Sequence, residues 1–371
     1  MLNSGASCEY ITKVVTLLGR RDQPTDGVED FSVLLGKAFE ARRISCEIAR
    51  VFWQEQSWIV ALRRFGRLSK AWRGLPVLVQ YTALGWSRRG FPFGFLAVLR
   101  TLRSNGARIV IVFHDVAPFA ATGVWARLRC FCQQRIIRTA FRWATRSVFP
   151  VPLTEIPWLP RSTNKAAFIP IGANIPPINF PRTVSDRNGN ARTVAIFGVT
   201  GSGEGPREIS QIVHAAAQMK KQIDSLRLIV LGRGSEESRA TFERALRETG
   251  VEVSVLGVLP PEEISKHLAL ADVLLCVRGE ITPRRGSAIA GIACGLPVIG
   301  YGRPECCFPV SEAGVELVPL GDTDALEKAL ENVLSDPARW SELHERSRMA
   351  QDKYFSWDKI AESYLRLLSD E

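Results

Sequence analysis

Short apolar runs alternate with amphipathic stretches along the second half of the chain. The runs lie at residues 194–198, 226–232, 251–257, 272–277, 296–301 and 314–319. The stretches between them carry apolar residues at the 3.6-residue spacing of helices. Strands that alternate with helices in this way predict βαβ units around a parallel sheet. Most positions in the runs are apolar, as expected for strands that are buried on both faces.

The first half repeats this alternation less regularly. Its predicted strands lie at residues 13–19, 45–52, 75–81, 107–115, 145–151 and 165–172. They predict a second parallel sheet, so the predicted fold class is α/β, with two Rossmann-like doubly wound domains facing a cleft. A stretch rich in Pro, Asn and Arg, residues 173–192, marks the connection. The predicted limits are 1–180 for the first domain, 181–192 for the linker, 193–356 for the second domain and 357–371 for a C-terminal helix.

Length and composition agree with two domains. The chain has 371 residues, more than one core usually holds. It lacks an uninterrupted apolar run of about 18 residues, so we predict no spanning helix. The N-terminal stretch has no basic region typical of a signal peptide. The eight cysteines lack zinc-ligand spacing, and we expect reduced, mostly buried thiols in a cytoplasmic protein without a metal site.

Charge is unevenly distributed along the chain. The net charge is +10, with 27 Lys and Arg against 11 Asp and Glu in residues 1–190, and 21 against 27 in the remainder. This asymmetry predicts that the first half meets an anionic partner. The basic first half carries no recognised nucleic-acid-binding motif, so we do not expect nucleic acid to be its partner. A membrane surface and phosphorylated ligands are the remaining candidates.

Two arginines precede a helical stretch made almost entirely of small residues. Arg284 and Arg285 stand before Gly286 and Ser287, and Ser287 is predicted to be the N-cap. Free N–H groups and the helix dipole make such a start an anion site, and guanidinium groups add charge-assisted hydrogen bonds. The arrangement suits a diphosphate. The alternative is a tight helix–sheet contact with two solvated arginines.

Three further polar motifs lie at ends of predicted elements. His114 and Asp115 close the buried run 107–115, where a lone histidine is either functional or a satisfied core residue. Gly27 follows Asp26 in the first loop, where it either lets the backbone approach a phosphate or forms an ordinary turn. The motif GDTD at 321–324 precedes a helical pattern, so we interpret Asp322 or Thr323 as a helix N-cap rather than a metal ligand.

Two basic, aromatic stretches, 58–75 and 85–103, are roughly amphipathic. They either lie on an anionic membrane, which would suit a lipid-linked acceptor, or form a charged outer face over a core stripe. The arginines assigned to this acceptor or membrane side are Arg63, Arg64, Arg67, Arg88 and Arg89.

Several motifs occur in the order found in GT-B glycosyltransferases. AIAGIACGLPVIGY resembles the donor-site helix of the retaining family 4 enzymes, and FIPIGANIP and LIVLGRGSEE resemble other segments of that family. FSWDKIAESYLRLL resembles its closing helix, which crosses back to the first domain. The resemblance implies a nucleotide-diphosphate sugar as co-substrate, bound by the second domain, and neither a metal nor a cofactor. It also implies that His114, beside Asp115, hydrogen-bonds the donor sugar.

The donor motif departs from the family pattern. Two family glutamates fall at Thr282 and Ala290, and Glu280 could substitute for one only if the loop shifts. Val199 and Glu204 replace the usual arginine and lysine after the first donor-domain strand. Arg284, Arg285, Arg233 or Arg207 would then supply the charge for the diphosphate.

The resemblance therefore implies a hexosyltransferase that moves a sugar to a glycan or lipid-linked acceptor, with retention, in cell-surface polysaccharide or glycoconjugate synthesis. The expected location is cytoplasmic, with peripheral attachment to the inner face of the membrane. Two alternatives remain: an inactive binding scaffold of the same fold, and a sugar-nucleotide 2-epimerase. The epimerase needs acid–base carboxylates and histidines, and the chain has only four histidines.

Overall fold

The computed structural model describes residues 11–22, 26–120, 122–177, 191–200 and 205–369. The chain divides into two compact units. The first unit consists of residues 1–171 and 357–371, and the second of residues 172–356. Residues 181–190 of the predicted linker lie outside the described residues.

The first unit is built on a parallel sheet of six strands, in agreement with the predicted fold class. The strands are β1 Lys13–Leu18, β2 Ser45–Arg50, β3 Pro76–Tyr81, β4 Arg108–Phe113, β5 Arg146–Phe149 and β6 Ala166–Phe168. Their order is β2-β1-β3-β4-β5-β6. Alternate residues point to opposite faces, so Val77 and Val79 enter one core and Leu78 enters the other.

Helices cover both faces of this sheet. They are α1 Gly27–Ala41, α2 Trp58–Leu68, α3 Phe93–Ser104, α4 Val124–Trp143 and the C-terminal α11 Trp357–Ser369. The chain turns back after β2, and right-handed crossovers therefore place α1 on one face and α2, α3 and α4 on the other. Helix α11 packs against α1, with Tyr364 edge-on to Phe39 at 6.4 Å between ring centroids.

The second unit has its own six-stranded parallel sheet. Its strands are β7 Ala191–Phe197, β8 Ser225–Leu231, β9 Glu252–Gly257, β10 Val273–Cys276, β11 Val298–Tyr301 and β12 Val315–Val318. Its helices are α5 Gly205–Lys220, α6 Ser235–Leu246, α7 Pro261–Leu270, α8 Gly286–Ala293, α9 Thr323–Ser335 and α10 Pro337–Ala350. The order β12-β11-β10-β7-β8-β9 reverses direction at β7. Ligands of such sheets bind beyond the carboxyl ends of the strands at this reversal, here β7 and β10.

Tight packing accounts for the small residues of α8. A Cβ atom on Gly291 would lie 2.7 Å from Leu274 Cδ2 and 3.0 Å from Val298 Cγ2, so any side chain there would strike the sheet. Gly295, with φ +68°, ends the helix, and His344 Nδ1 lies 2.6 Å from its carbonyl oxygen. The helix–sheet contact predicted as one explanation of this stretch is therefore present.

The cysteines within the described residues are free thiols. Only Cys276 and Cys307 are buried and the other five are half-buried, so the prediction of mostly buried thiols is wrong. Burial raises the pKa of the Cys276 thiol, partly offset by Arg285. Within the part of the chain that the structure describes, we find neither a helix able to span a bilayer nor a group of three metal-ligating side chains.

Candidate functional site

The crevice of the second unit is bounded by the segments that follow β7, β8 and β10. After β7, Gly198 N donates to Leu231 O at 2.8 Å and Val199 N donates to Arg233 O at 3.1 Å. These bonds tie the β7 segment to the segment after β8. Arg233 is exposed and lies just after β8, next to the segment after β7.

A buried carboxylate holds the segment after β7. Glu208, in the first turn of α5, accepts hydrogen bonds from Thr200 N at 2.8 Å and Thr200 Oγ1 at 2.7 Å. Sequence reasoning missed this residue. The available signal was an acidic residue in the first helical turn after a glycine-rich loop. Glu204, considered above as a family position, lies outside the described residues.

Replacing Glu208 with alanine is expected to lower the free energy of unfolding of the second unit by about 2 kcal/mol, because two hydrogen bonds to a buried charged group are lost. Urea denaturation of the variant and the wild-type chain measures this change. Ser210, exposed on the same helix, provides the control, since Ser210→Ala removes no such contact. An unchanged unfolding midpoint in Glu208→Ala would show that the carboxylate does not hold the loop.

Arg285 is the N-cap residue of α8. Its backbone is extended, and its carbonyl oxygen accepts from Ile289 N at 3.0 Å, which begins the helical hydrogen-bond ladder. The predicted N-cap, Ser287, is therefore wrong, since Ser287 lies inside the first turn. Its hydroxyl instead accepts from Arg285 Nε at 3.3 Å. This contact holds the Arg285 side chain next to the free N–H groups of the helix.

The predicted donor-site residues near the start of α8 differ in their surroundings. Arg284 is exposed and Arg285 is half-buried. Glu280 forms an ion pair with Arg303, at 3.6 Å between Oε1 and Nε. Gly286, exposed at the first helical position, has no atom within 4 Å of a Cβ position, so the space over the helix start is open. The result is a helix N-terminus with the Arg285 guanidinium group beside it and Arg284 exposed one residue earlier, an arrangement that attracts anions.

In the first unit, His114 is held by a glutamine that sequence reasoning missed. His114 follows β4, and its Nε2 lies 2.7 Å from Gln80 Oε1 on β3. The edge of the Phe31 ring packs against the imidazole at 5.2 Å between centroids. Gln80 is a lone amide in the apolar strand β3, which was the only signal of its role. The imidazole is half-buried, and its orientation is set by neighbours from β3 and α1.

Asp115 contacts the backbone of the next loop. Its Oδ2 accepts from Ala83 N at 2.7 Å, which holds the start of the segment after β3. This contact assigns Asp115 a positioning role within the described residues, and its predicted catalytic role remains a prediction.

The first loop is anchored at both ends. Asp26 caps α1 by accepting from Val28 N at 3.0 Å and Glu29 N at 3.1 Å, and Gly27 is the first helical residue. At the other end, Arg20 N donates to Gly85 O at 2.7 Å. Trp53 Nε1 also donates to Gly85 O, at 3.1 Å. A Cβ atom on Gly19 would lie 2.3 Å from that same oxygen, so this close approach requires glycine at position 19. The predicted role of Gly27 near a phosphate remains a prediction.

The five predicted acceptor-side arginines are exposed. Arg64 lies over the Phe52 ring at 5.7 Å, and Arg88 donates to Gln54 O at 3.3 Å. Arg88 and Arg89 line an open cavity of about 510 Å³ together with Trp53, Trp58, Trp86 and Phe93. Arg63 and Arg67 lie on α2, so the set gathers around α2 and the segment after β3.

The motif GDTD at residues 321–324 has a structural role. Asp322 is the N-cap of α9 and accepts from Ala325 N at 2.9 Å, which confirms the predicted helix cap.

Comparison with known proteins finds a family model and a relative that each match part of the chain. The family model described as "Glycosyl transferases group 1" matches residues 195–336. A mannosyltransferase of *Corynebacterium glutamicum*, described as GDP-mannose-dependent and acting on a monoacylated phosphatidylinositol monomannoside, is 28% identical over 169 residues. This match covers 43% of the chain and 43% of the relative, so less than half of the relative's length is spanned.

Two solved structures share the fold over nearly the whole chain. Sucrose-phosphate synthase of *Thermosynechococcus elongatus* has a TM-score of 0.67 at 18% identity, covering 96% of this chain and 98% of that one. HepE of Anabaena, solved with UDP and glucose, has a TM-score of 0.66 at 13% identity, covering 97% and 100%. The predicted resemblance is confirmed: residues 195–336 match the group 1 glycosyltransferase model, and the chain has the GT-B fold of these structures.

Proposed function

We propose that the chain transfers a hexose from a nucleotide-diphosphate donor to a glycan or lipid-linked acceptor. The second unit binds the donor and the basic first unit binds the acceptor. The observation that carries the proposal is the start of α8, where Arg285 lies next to free helical N–H groups at the carboxyl end of β10. This is the position where doubly wound sheets bind phosphates.

The proposed chemistry follows from the charge that develops on the diphosphate as the sugar leaves. The amides of α8, its dipole and the guanidinium groups of Arg284 and Arg285 stabilise that negative charge. The diphosphate oxygen takes the acceptor proton, and the sugar keeps its anomeric configuration. His114 donates or accepts a hydrogen bond at a hydroxyl of the transferred sugar. The arginines supply the positive charge, so the proposed reaction uses neither a metal nor a cofactor.

The named relatives support a nucleotide sugar as donor. The *Corynebacterium* relative is described as dependent on GDP-mannose, and the Anabaena structure was solved with UDP and glucose. The first of these acts on a lipid-linked acceptor by its description. By analogy, we place the reaction in the synthesis of a cell-surface glycan or glycoconjugate, in the cytoplasm at the inner face of the membrane.

A panel of UDP-, GDP- and ADP-linked glucose, mannose and galactose tests the proposal. The expected result is release of nucleotide from one donor, at a rate that rises when a glycan or lipid-linked acceptor is added. Failure to bind any nucleotide would overturn the proposal.

A binding protein without activity is the second candidate. Thr282 and Ala290 stand where acidic residues would be expected, and Glu280 is paired with Arg303. Nucleotide binding without release in the presence of any acceptor would favour this candidate. Release of a free 2-epimer without acceptor would identify an epimerase.

A further inference from the structure

One face of the first unit is strongly basic. Helices α2, α3 and α4 pack side by side over the same core on that face of the sheet. Between Glu55 and Glu155 the chain has sixteen Lys and Arg and a single acidic residue, Asp115. The opposite face carries α1 and α11, where acidic residues such as Glu29 and Asp358 form ion pairs. The positive charge is therefore concentrated on the layer formed by α2, α3 and α4.

The outward side of α4 is apolar at its start and basic further on. Val124 and Trp125 are 80% and 78% exposed, and Leu128 and Phe131 are 45% and 54% exposed. At about 100° per residue, Val124, Leu128 and Phe131 share one side of the helix with Arg135, Arg138 and Arg142. The opposite side carries the buried Ile136, Ile137 and Ala140. The exposed apolar residues are thus additional to the core stripe of this helix.

Exposed apolar side chains also begin the two neighbouring helices. Ile59 lies in the first turn of α2, and Phe93 is the first residue of α3, both exposed. Each helix of this layer follows a strand of a parallel sheet, so all three begin at the same edge of that sheet. We call this set the apolar rim: Ile59, Phe93, Val124, Trp125, Leu128 and Phe131.

We propose that the apolar rim and the arginines of the same layer form a surface that binds anionic phospholipid membranes. The first two turns of α4 enter the boundary between headgroups and acyl chains, where an aromatic residue such as Trp125 is favoured. Arg135, Arg138 and Arg142 then contact lipid phosphates. The inference deepens the proposed function, because it names the surface through which a lipid-linked acceptor would be reached.

The charges favour a membrane over other partners. A second copy docking through this face would bring two basic layers together, and like charges oppose such contact. Nucleic acid would match the charge but not the six apolar groups at the rim. A bilayer with anionic headgroups matches both, since it offers phosphates and a hydrocarbon interior at neighbouring depths.

Vesicle binding tests the apolar part of the surface. The wild-type chain is expected to sediment with phosphatidylcholine vesicles that contain about 30% phosphatidylglycerol, and not with pure phosphatidylcholine. Trp125→Ser combined with Phe131→Ser is expected to weaken binding by about tenfold or more. Leu270→Ser with Leu320→Ser, exposed on the second unit, is the matched control and should bind like the wild-type chain.

A charge variant tests the arginines separately. Arg135→Gln, Arg138→Gln and Arg142→Gln together are expected to weaken binding on the order of a hundredfold. Roughly 0.5 M salt should weaken wild-type binding in the same direction. The control replaces Lys221, Arg244 and Arg247, which are exposed on the second unit, with glutamine and should leave binding unchanged.

Two results would overturn the proposal. The first is equal binding of the wild-type chain and the rim variant, or an absence of binding to anionic vesicles. The second is a wild-type dimer that becomes a monomer in the rim variant while vesicle binding is missing, which would identify a second copy as the partner. Calorimetry with UDP and GDP distinguishes a failure of the membrane proposal from a failure of the proposed donor site, because the rim variant should bind nucleotide as the wild-type chain does.

Discussion

Arg284→Ala combined with Arg285→Ala is expected to weaken the binding of UDP or GDP by about a hundredfold. Each guanidinium group offers a charge-assisted hydrogen bond to the diphosphate, and such bonds contribute about 1.5–3 kcal/mol each. Because the α8 amides remain, binding should be weakened rather than abolished. Isothermal titration of the preferred nucleotide measures the change.

Two controls make this result specific. Arg244→Ala with Arg247→Ala, both exposed on α6 or just after it, should leave nucleotide affinity unchanged. The corresponding nucleosides, which lack phosphates, should show little difference between wild-type chain and double variant. Equal diphosphate affinity in the wild-type chain and the Arg284/Arg285 double variant would mean that the phosphate lies elsewhere.

His114→Ala is expected to lower kcat by about a hundredfold while the KM for the donor changes little. A hydrogen bond to the transferred sugar that strengthens as charge develops contributes mainly to the transition state, and its loss appears in kcat. Initial rates of nucleotide release at saturating acceptor measure the effect. A fully active His114→Ala variant would remove His114 from the reaction.

Gln80 provides the matched test of positioning. Gln80→Leu keeps a side chain of similar size but removes the partner of His114 Nε2, and about a tenfold loss of kcat is expected. If Gln80 acts only through His114, the double variant should be no slower than His114→Ala alone. Additive losses would instead assign Gln80 a role of its own.

Local patterns were sufficient for the fold of each unit. The apolar runs identified the central strands of both sheets because parallel strands buried on both faces leave little room for polar residues. The edge strand β2 is partly exposed and carries polar residues such as Glu47 and Arg50. The cap at Asp322 was predictable because it depends on residues within one turn. Ser287 was assigned wrongly because the turn from Thr282 to Arg285 starts α8 two residues earlier than the residue types suggest. Serine occurs within the first turn of a helix as well as at the N-cap, so its residue type alone does not identify the N-cap position.

Tertiary partners were beyond the reach of the sequence. Gln80 and His114 are 34 positions apart and meet only because β3 and β4 are neighbours in the sheet. Glu208 and Thr200 are eight positions apart, and their contact depends on where α5 begins relative to the end of β7. The two loop glycines, Gly19 and Gly85, look like ordinary turn residues until the strand order places them together. Pairing across strands, rather than residue type, decides these contacts.

The carbonyl of Gly85 has a mechanical consequence. The segments after β1, β2 and β3 converge on this one oxygen, through Arg20 N, Trp53 Nε1 and the residue's own chain. Displacing Gly85 would break both hydrogen bonds at once, so the segments after β1 and β2 together oppose a shift of this residue. We therefore expect this edge of the first unit to be stiff, so that a ligand bound there is accommodated by movement of side chains rather than of these segments.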